Sequence, residues 1–297
     1  MVSPLAAAAG LVADMVLGEP PITPHPLTRF GRLMDGVESA VYADRRRNGV
    51  LHAGVGTLTG WAAGALVGSA TVATYLAVAN KALAGAALDV HAALAGDDLE
   101  RARTLLPALV GRDPSDLDDK EIARAVVESV AENTVDAVVA PTLFAALGGA
   151  PAALAYRAVN TLDATVGHRS PRYLRYGWAS ARLDDLANLG PARLTAALVA
   201  LVRPGRAADI WRAVRHQAGA HPSPNAGVAE AAFAAALGLR LGGANRYGER
   251  VEVRPFLGLG RPADTEDIPA AVALSRQVSL ALAGGLGAWG VSRRRRR

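Results

Sequence analysis

Long stretches without charge separate short polar islands along this chain. No Asp, Glu, Lys or Arg lies between Arg47 and Lys81, and residues 50–79 are almost wholly apolar. A helix needs roughly 20 apolar residues to cross a bilayer. We therefore predict a membrane span over residues 50–79, with a buried helix of a soluble domain as the alternative.

Two further windows have the same character. Residues 137–156 carry no charge, but two prolines and a Gly-Gly pair interrupt them, which predicts a broken or re-entrant span. Residues 268–292 contain Arg276 as their one charged residue and predict another span. Shorter apolar patches, which stay unassigned, occur at residues 2–13, 194–202 and 231–239.

The segments between these windows predict amphipathic helices and turns. Residues 82–110 show helical periodicity with charged residues on one side, which predicts a helical hairpin outside the membrane. Residues 111–115 predict a turn, and the acidic residues that follow suit the first turn of a helix. Alternating strand patterns are scarce. The predicted fold class is all-α: a multi-spanning helical membrane protein with cytoplasmic amphipathic helices and loops, in which residues 1–297 form a single integral-membrane domain.

Composition agrees with a membrane bundle and excludes some chemistry. Hydrophobic residues make up 51% of the chain and charged residues 20%, below the quarter that is typical of soluble proteins. There is no cysteine, which excludes disulfides, thiolate catalysis and zinc–sulfur sites. The arginines at 293–297 directly follow an apolar segment and predict a cytoplasmic end. No aromatic residue interleaves with them, which argues against nucleic-acid binding.

One charged stripe stands out on the helix that is predicted after residue 118. At 100° per residue, Glu128, Glu132 and Asp136 share a face with Glu121 and Arg124. Like charges four residues apart repel each other, so this stripe costs stability unless a cation is bound. Clustered carboxylate oxygens suit Mg²⁺ together with substrate phosphates. The alternative to a metal site is an acidic helix face that is exposed to solvent. However, carboxylates next to a membrane segment commonly have a function.

Two further polar islands follow. In the first, the spacing puts Arg157, Asn160 and Asp163 on consecutive turns of a helix. In the second, Asp184 and Asn188 share one face of the next helix. Arg182 and Asp185 share another face of that helix, where they could pair. Arginines close to Asp and Asn side chains are suited to binding a phosphorylated substrate together with a metal ion. The alternative interpretation is that these charged residues form internal salt bridges between helices. Residues 221–227 predict a rigid turn without a readable chemical role. No phosphate-binding glycine loop, HExxH or GxSxG motif is present in the sequence. The six histidines are scattered along the chain, and His25, between two prolines, is predicted to be structural.

The segment Glu128-Ser129-Val130-Ala131-Glu132-Asn133 and its surroundings resemble the CobD/CbiB membrane proteins. The resemblance extends from about residue 18 to residue 259 and departs at Val135 and Ala137, where Ser and Gly are expected, and at Val228, where Trp is common. The matching motifs are residues 120–134, 136, 138–141, 155–163, 177–179, 182–185, 223–227 and 241–243, with the early residues 18–20, 25–26 and 31–32.

The resemblance implies a reaction and a set of site residues. A propionate carboxyl of adenosylcobyric acid would be joined to (R)-1-aminopropan-2-ol or its O-phosphate, driven by ATP with Mg²⁺, at a multi-pass protein of the inner cell membrane whose active site faces the cytoplasm. Mg²⁺ with ATP would lie on Glu128, Glu132 and Asp136, together with Asp184 or Asp185. The implied catalytic residues are Glu128, Glu132, Asp136, Asp163, Asp184 and Asp185, and the implied substrate-binding residues are Arg112, Asn133, Arg157, Asn160, Arg182, Asn188 and Asn225.

Other functions and partners stay open at this point. A membrane sensor like the AmpE-type proteins would bind a ligand without turnover, and a transporter would use buried acids to relay ions. The expected partners are the corrinoid, the amino alcohol or its phosphate, and the lipid bilayer, with no nucleic acid, and self-association into a homo-oligomer is left open.

Overall fold

The computed structural model describes residues 3–111, 113–247 and 250–296, which form twelve α-helices and three β-strands. The helices are α1 Pro4–Leu17, α2 Pro26–Val41, α3 Arg46–Val67, α4 Ala70–Ala77, α5 Asn80–Ala95, α6 Leu99–Leu105, α7 Asp119–Thr134, α8 Ala140–Leu162, α9 Trp178–Val202, α10 Ala207–His216, α11 Ala226–Leu237 and α12 Asp267–Arg295. The strands are β1 Leu239–Tyr247, β2 Arg250–Leu257 and β3 Arg261–Pro262.

The prediction of an all-α, multi-pass membrane protein is confirmed. Within the described residues, five helical stretches are long and apolar enough to cross a membrane. These stretches are Arg46–Val67, Ala70–Ala95, Asp119–Gly167, Trp178–Val202 and Asp267–Arg295. The chain is therefore a membrane-embedded helical protein.

A helix long and apolar enough to cross a membrane is confirmed within residues 50–79, but the predicted bounds are wrong because two helices share this stretch. α3 ends at Gly68, which adopts the left-handed conformation at φ 66° and donates its N–H to the carbonyl of Gly64 (3.0 Å). Ser69 then caps α4, since its side chain accepts a hydrogen bond from the N–H of Val72 (3.3 Å). A Gly-Ser pair of this kind ends one helix and begins the next.

The broken character predicted for residues 137–156 is confirmed. Val135–Val139 is π-helical, and α8 kinks at Gly149, whose φ of 71° lies outside the helical region. Pro151 follows two residues later and cannot supply a backbone N–H to the helix. The π-helical turn also interrupts the 100° spacing on which the stripe from Glu128 to Asp136 was predicted.

The helices on either side of residue 97 form the predicted hairpin, with one difference. Asp97 turns the chain at φ 57°, and the Asp98 side chain caps α6 by accepting from the N–H of Arg101 (3.0 Å). However, α5 belongs to the stretch Ala70–Ala95, which is long and apolar enough to cross a membrane, so the location of the hairpin outside the membrane stays a prediction. The helix predicted after residue 118 begins as expected, with Asp118 and Glu121 forming a capping box.

The chain divides into two compact units, each assembled from separate stretches of sequence. Unit 1 comprises Met1–Ala79, Asp136–Asn188 and Ala283–Arg297, and unit 2 comprises Asn80–Val135 and Leu189–Leu282. The prediction of one integrated domain stays a prediction.

Glycines allow α3 to pack closely on α8 within unit 1. Gly56, Gly60 and Gly64 recur every fourth residue and so lie along one face of α3. A Cβ on Gly60 would lie 2.6 Å from the carbonyl oxygen of Leu154, and a Cβ on Gly64 would lie 2.3 Å from that of Ala150. Small residues at this spacing let helix backbones approach each other in membranes.

Replacing Gly60 with leucine is expected to destabilise the protein. The new side chain would meet the α8 backbone, and overpacking of this kind typically costs about 1–3 kcal/mol. The thermal unfolding midpoint in detergent should fall. Gly54 is the matched control on the same helix, because its Cβ position has no neighbour within 4 Å, so Gly54→Leu should leave the midpoint near that of the wild type.

Unit 2 contains a small sheet that the sequence did not predict. The strand order is β2-β1-β3, with β1 antiparallel to β2 and parallel to β3. The β1–β2 register shifts between Leu241 and Gly243. Gly242, at φ 92°, lies so close to β2 that a Cβ would be 2.1 Å from the carbonyl oxygen of Pro255. Only glycine fits this bulge.

Candidate active site

Two carboxylates and two amides predicted as site residues come together in unit 1. Asn160 donates hydrogen bonds from Nδ2 to Asp136 Oδ2 (3.1 Å) and to Asp184 Oδ1 (3.2 Å). Asn188 donates from Nδ2 to the other oxygen of Asp184 (3.0 Å). We call these four residues the acid–amide cluster. The i, i+4 relation of Asp184 and Asn188 was predicted from helix spacing, and the resemblance placed Asp136 in one site with Asp184 or Asp185. The contacts that Asn160 makes with both carboxylates were not predicted.

Two neighbours on α8 complete the surroundings of the cluster. The Tyr156 hydroxyl donates to Asn188 Oδ1 (2.9 Å), and Arg157 donates from Nη1 to Asn160 Oδ1 (3.2 Å). The Nε atom of Arg157 is buried and has no hydrogen-bond partner among the described residues. Sequence reasoning assigned no role to Tyr156, although its place beside Arg157 in a polar island was a usable signal.

The cluster lies in two helical stretches that are long and apolar enough to cross a membrane, Asp119–Gly167 and Trp178–Val202. Asp184 and Asn188 are buried, and their helix is one of the stretches long enough to cross a membrane. Polar groups in such a setting are costly unless they are hydrogen-bonded, and they commonly mark a functional site. A buried carboxylate fixed by two amides, beside a guanidinium, can accept a proton and can lie next to a bound anion.

Three other predicted residues, Arg182, Asp185 and Asp163, also belong to unit 1. Arg182 pairs with Asp185 at 3.5 Å, as the spacing predicted, and the arginine side chain is well exposed. Asp163 lies in the π-helical segment Asp163–Gly167, where its carboxylate approaches Gly167. Arg112, a predicted substrate-binding residue, lies outside the described residues.

The buried side chain of Glu128 in unit 2 connects helix α7 to the sheet through hydrogen bonds. Its Oε1 accepts hydrogen bonds from the N–H of Gly242 (2.9 Å) and from Arg124 Nη1 (3.3 Å). Arg124 also donates to the carbonyls of Gly242 (2.6 Å) and Ala244 (2.9 Å). These contacts tie α7 to β1. Glu132 is exposed, and Asn133 donates to the Ser129 carbonyl (3.0 Å).

Glu128, Glu132 and Asp136 are the predicted magnesium residues. Oε1 of Glu128 already accepts hydrogen bonds from two N–H donors. Across the described part of the chain, no group of three or more His, Asp or Glu side chains is arranged to hold a metal ion. The assignment of Mg²⁺ to these residues stays a prediction.

The turn before α11 holds Asn225 in place. Ser223 Oγ accepts hydrogen bonds from the N–H groups of Asn225 (3.3 Å) and Ala226 (3.2 Å), as expected for a rigid turn. Arg193 donates from Nη1 to Asn225 Oδ1 (2.8 Å). The predicted substrate-binding role of Asn225 is untested by these contacts.

A buried charged group in unit 2 was missed by the sequence reasoning. His221 Nε2 lies 3.6 Å from Glu230 Oε1, and Arg254 Nη1 lies 3.8 Å from the same oxygen. The side chains of His221 and Glu230 are almost wholly buried. A lone carboxylate in the alanine-rich helix α11 was the signal that could have revealed Glu230. Burial and the nearby Arg254 cation lower the pKa of His221, while the carboxylates of Glu128 and Glu252 act in the opposite direction.

This shift predicts that stability is lost in weak acid. Because folding lowers the pKa of His221 from its ordinary 6.5, the unfolded chain binds the proton more readily. The contribution is full above pH 6.5 and is lost as the pH falls from 6.5 towards the folded pKa, by up to about 1.4 kcal/mol per pH unit. His221→Gln should flatten this part of the profile of unfolding midpoint against pH. His216→Gln, at the exposed end of α10, should leave it unchanged.

Comparison with known proteins bears out the resemblance. A family described as CobD/Cbib protein matches residues 7–275. A cobalamin biosynthesis protein CobD of Mycobacterium tuberculosis is 48% identical over 285 residues, covering 91% of this chain and 90% of that protein. A CobD of Geobacter metallireducens is 44% identical over 269 residues (84% of each), and a cobalamin biosynthesis protein CbiB of Salmonella arizonae is 40% identical over 287 residues (89% of this chain, 90% of that protein). No solved structure matches the chain.

Proposed function

This chain belongs to the CobD/CbiB family, and from that premise we propose that it catalyses an ATP-dependent amide synthesis in cobalamin biosynthesis. The substrates of the proposal are adenosylcobyric acid and (R)-1-aminopropan-2-ol or its O-phosphate. The names of the relatives support the role in cobalamin biosynthesis. The reaction itself is the part that we propose.

Amide synthesis requires two group transfers and the loss of a proton. A carboxylate oxygen first attacks a phosphorus of ATP, which gives an acyl phosphate and ADP, or an acyl adenylate and pyrophosphate. The amine nitrogen then attacks the acyl carbon, so that the C–N bond forms and phosphate or AMP leaves. An ammonium ion is not nucleophilic, so a base must take its proton first. Mg²⁺ enters this scheme as part of the nucleotide substrate.

The acid–amide cluster is the observation that carries this proposal. Asp184 is buried, and two amide groups fix both of its oxygens, so it is a well-oriented candidate for the base that accepts the ammonium proton. Arg157 lies beside the cluster with a buried Nε, and its guanidinium is suited to a carboxylate or phosphate of a substrate. The amides of Asn160 and Asn188 could pair with amide groups on the rim of the corrin.

The direct test is a reaction with the detergent-purified protein. Adenosylcobyric acid, ATP, Mg²⁺ and each form of the amine are incubated with it, and the products are identified by mass spectrometry. We expect an amide product that requires ATP. Binding of the corrinoid without product and without ATP consumption would favour the sensor alternative. In a strain that lacks the gene, supplied cobinamide should restore growth and cobyric acid should not.

We also propose that unit 1 presents its 168–177 loop to the cytoplasm, from the inner cell membrane. The chain has no cysteine, so a single introduced cysteine can be labelled without background. Leu174 lies in this loop and is 64% exposed. A Leu174→Cys protein should react with a membrane-impermeant maleimide in inside-out vesicles but not in intact spheroplasts. The reverse pattern would refute this orientation.

A further inference from the structure

Five exposed arginines in unit 1 lie where two candidate spans begin. Arg45, Arg46 and Arg47 lie at the start of α3, and Arg172 and Arg175 lie in the loop that leads into α9. We call these five residues the arginine collar.

The two segments of the collar are in direct contact. The Arg46 guanidinium lies 5.0 Å from the centre of the Trp178 ring, at the first residue of α9. Gly49, one turn into α3, is so close to the loop that a Cβ would lie 1.7 Å from the carbonyl oxygen of Tyr176. The candidate spans that begin at Arg46 and Trp178 therefore start side by side on one face of unit 1.

The collar has an excess of positive charge. Arg172 is neutralised by Glu38, to which it donates at 2.7 Å, and Arg175 lies 3.7 Å from Asp44. Arg45, Arg46 and Arg47 have no ion pair among the described residues. Three exposed guanidinium groups in a row thus keep their charge at the surface.

Aromatic rings accompany these arginines. The Arg172 guanidinium stacks 4.1 Å above the Tyr42 ring, and the Trp178 side chain is 39% exposed beside Arg46. Tyr and Trp are enriched where membrane proteins cross from lipid to water, and arginine stems extend along the same boundary. The collar thus has the composition of a segment at the level of the phospholipid head groups.

We propose that the arginine collar binds the head groups of anionic phospholipids in the bilayer that the chain spans. Clustered arginines next to a span attract anionic head groups electrostatically, and the attraction grows with each arginine near the surface. Free phosphate offers the same charge but neither the bilayer plane nor a second head group, so it should bind far more weakly. The proposal is independent of the reaction proposed above.

The test measures binding of fluorescent phosphatidylglycerol and phosphatidylcholine to the detergent-purified full chain, with inorganic phosphate as a competitor. We expect phosphatidylglycerol to bind at least tenfold more tightly than phosphatidylcholine, and millimolar phosphate to displace little of it. Arg45→Gln, Arg46→Gln and Arg47→Gln combined should abolish a preference of this size, because the attraction that three arginines supply is on the order of 100-fold. Raising NaCl from 0.1 to 1 M should reduce the preference of the wild type as well.

A matched triple variant controls for net charge. Arg212→Gln, Arg215→Gln and Arg240→Gln combined remove three exposed arginines from unit 2 and should keep the lipid preference. An equal loss in both triple variants would show a general charge effect and overturn the proposal. An unchanged preference in the collar variant, or displacement by phosphate as efficient as by lipid, would overturn it too. The salt titration uses the wild-type protein, so the proposal stays testable even if the collar variant does not fold.

Discussion

Asp184→Asn should lower kcat for amide formation by about 10²–10⁴-fold, the range that a positioned acid or base contributes. The asparagine keeps the size of the side chain and one acceptor oxygen, so a hydrogen bond from Asn160 or Asn188 can persist. It cannot take a proton from the ammonium group of the amine. We therefore expect the KM for ATP to change little while kcat falls, in assays of the detergent-purified protein.

A neutral replacement elsewhere controls for the loss of one carboxylate. Asp209 lies on α10 in unit 2, where it forms exposed pairs with Arg206 and Arg212. Exposed pairs of this kind contribute about 0–1 kcal/mol, so Asp209→Asn should keep both stability and kcat. If Asp184→Asn retained activity within a few-fold of the wild type, another group would have to accept the proton.

The sequence predicted the local parts of the fold and of the site well. Pairs three or four residues apart, such as Arg182 with Asp185 and Asp184 with Asn188, follow from helix geometry alone. The start of α7 was predicted from the acidic residues that suit the first turn of a helix, and two of them, Asp118 and Glu121, form a capping box there. The apolar windows predicted membrane helices because bilayer thickness sets their length.

Contacts between distant segments were beyond the reach of these patterns. Asn160 meets Asp136 and Asp184 across separations of 24 residues each, which no helical period encodes. The Mg²⁺ stripe was predicted from one helix treated as continuous, whereas the chain becomes π-helical at Val135. The β1–β2 hairpin was missed because Gly242, Gly243 and Pro255 interrupt an alternating pattern, as expected at a bulge.

Removing the Glu128 side chain should destabilise the protein strongly. Glu128 and Arg124 are both largely buried, and breaking such a pair by removing one partner costs about 3–5 kcal/mol. Glu128→Ala would leave the Arg124 guanidinium and the N–H of Gly242 without this acceptor. The unfolding midpoint in detergent should fall sharply. Glu100 provides the comparison, because it is exposed and pairs with Arg103 at 2.7 Å. Glu100→Ala should therefore change the unfolding midpoint little.

Glu128→Gln separates bracing from metal binding. Glutamine keeps a side-chain oxygen for the N–H of Gly242 and loses the charge, so we expect a smaller loss of about 1–2 kcal/mol. If Glu128 only braces α7 against β1, the folded glutamine variant should keep its dependence of rate on Mg²⁺ concentration. If Glu128 binds the Mg²⁺ of the nucleotide, the same variant should need much more Mg²⁺ to reach half its maximal rate. The contacts with Arg124 and Gly242 make the first outcome the expected one, because Oε1 already accepts two hydrogen bonds and the Arg124 cation beside it repels a second cation.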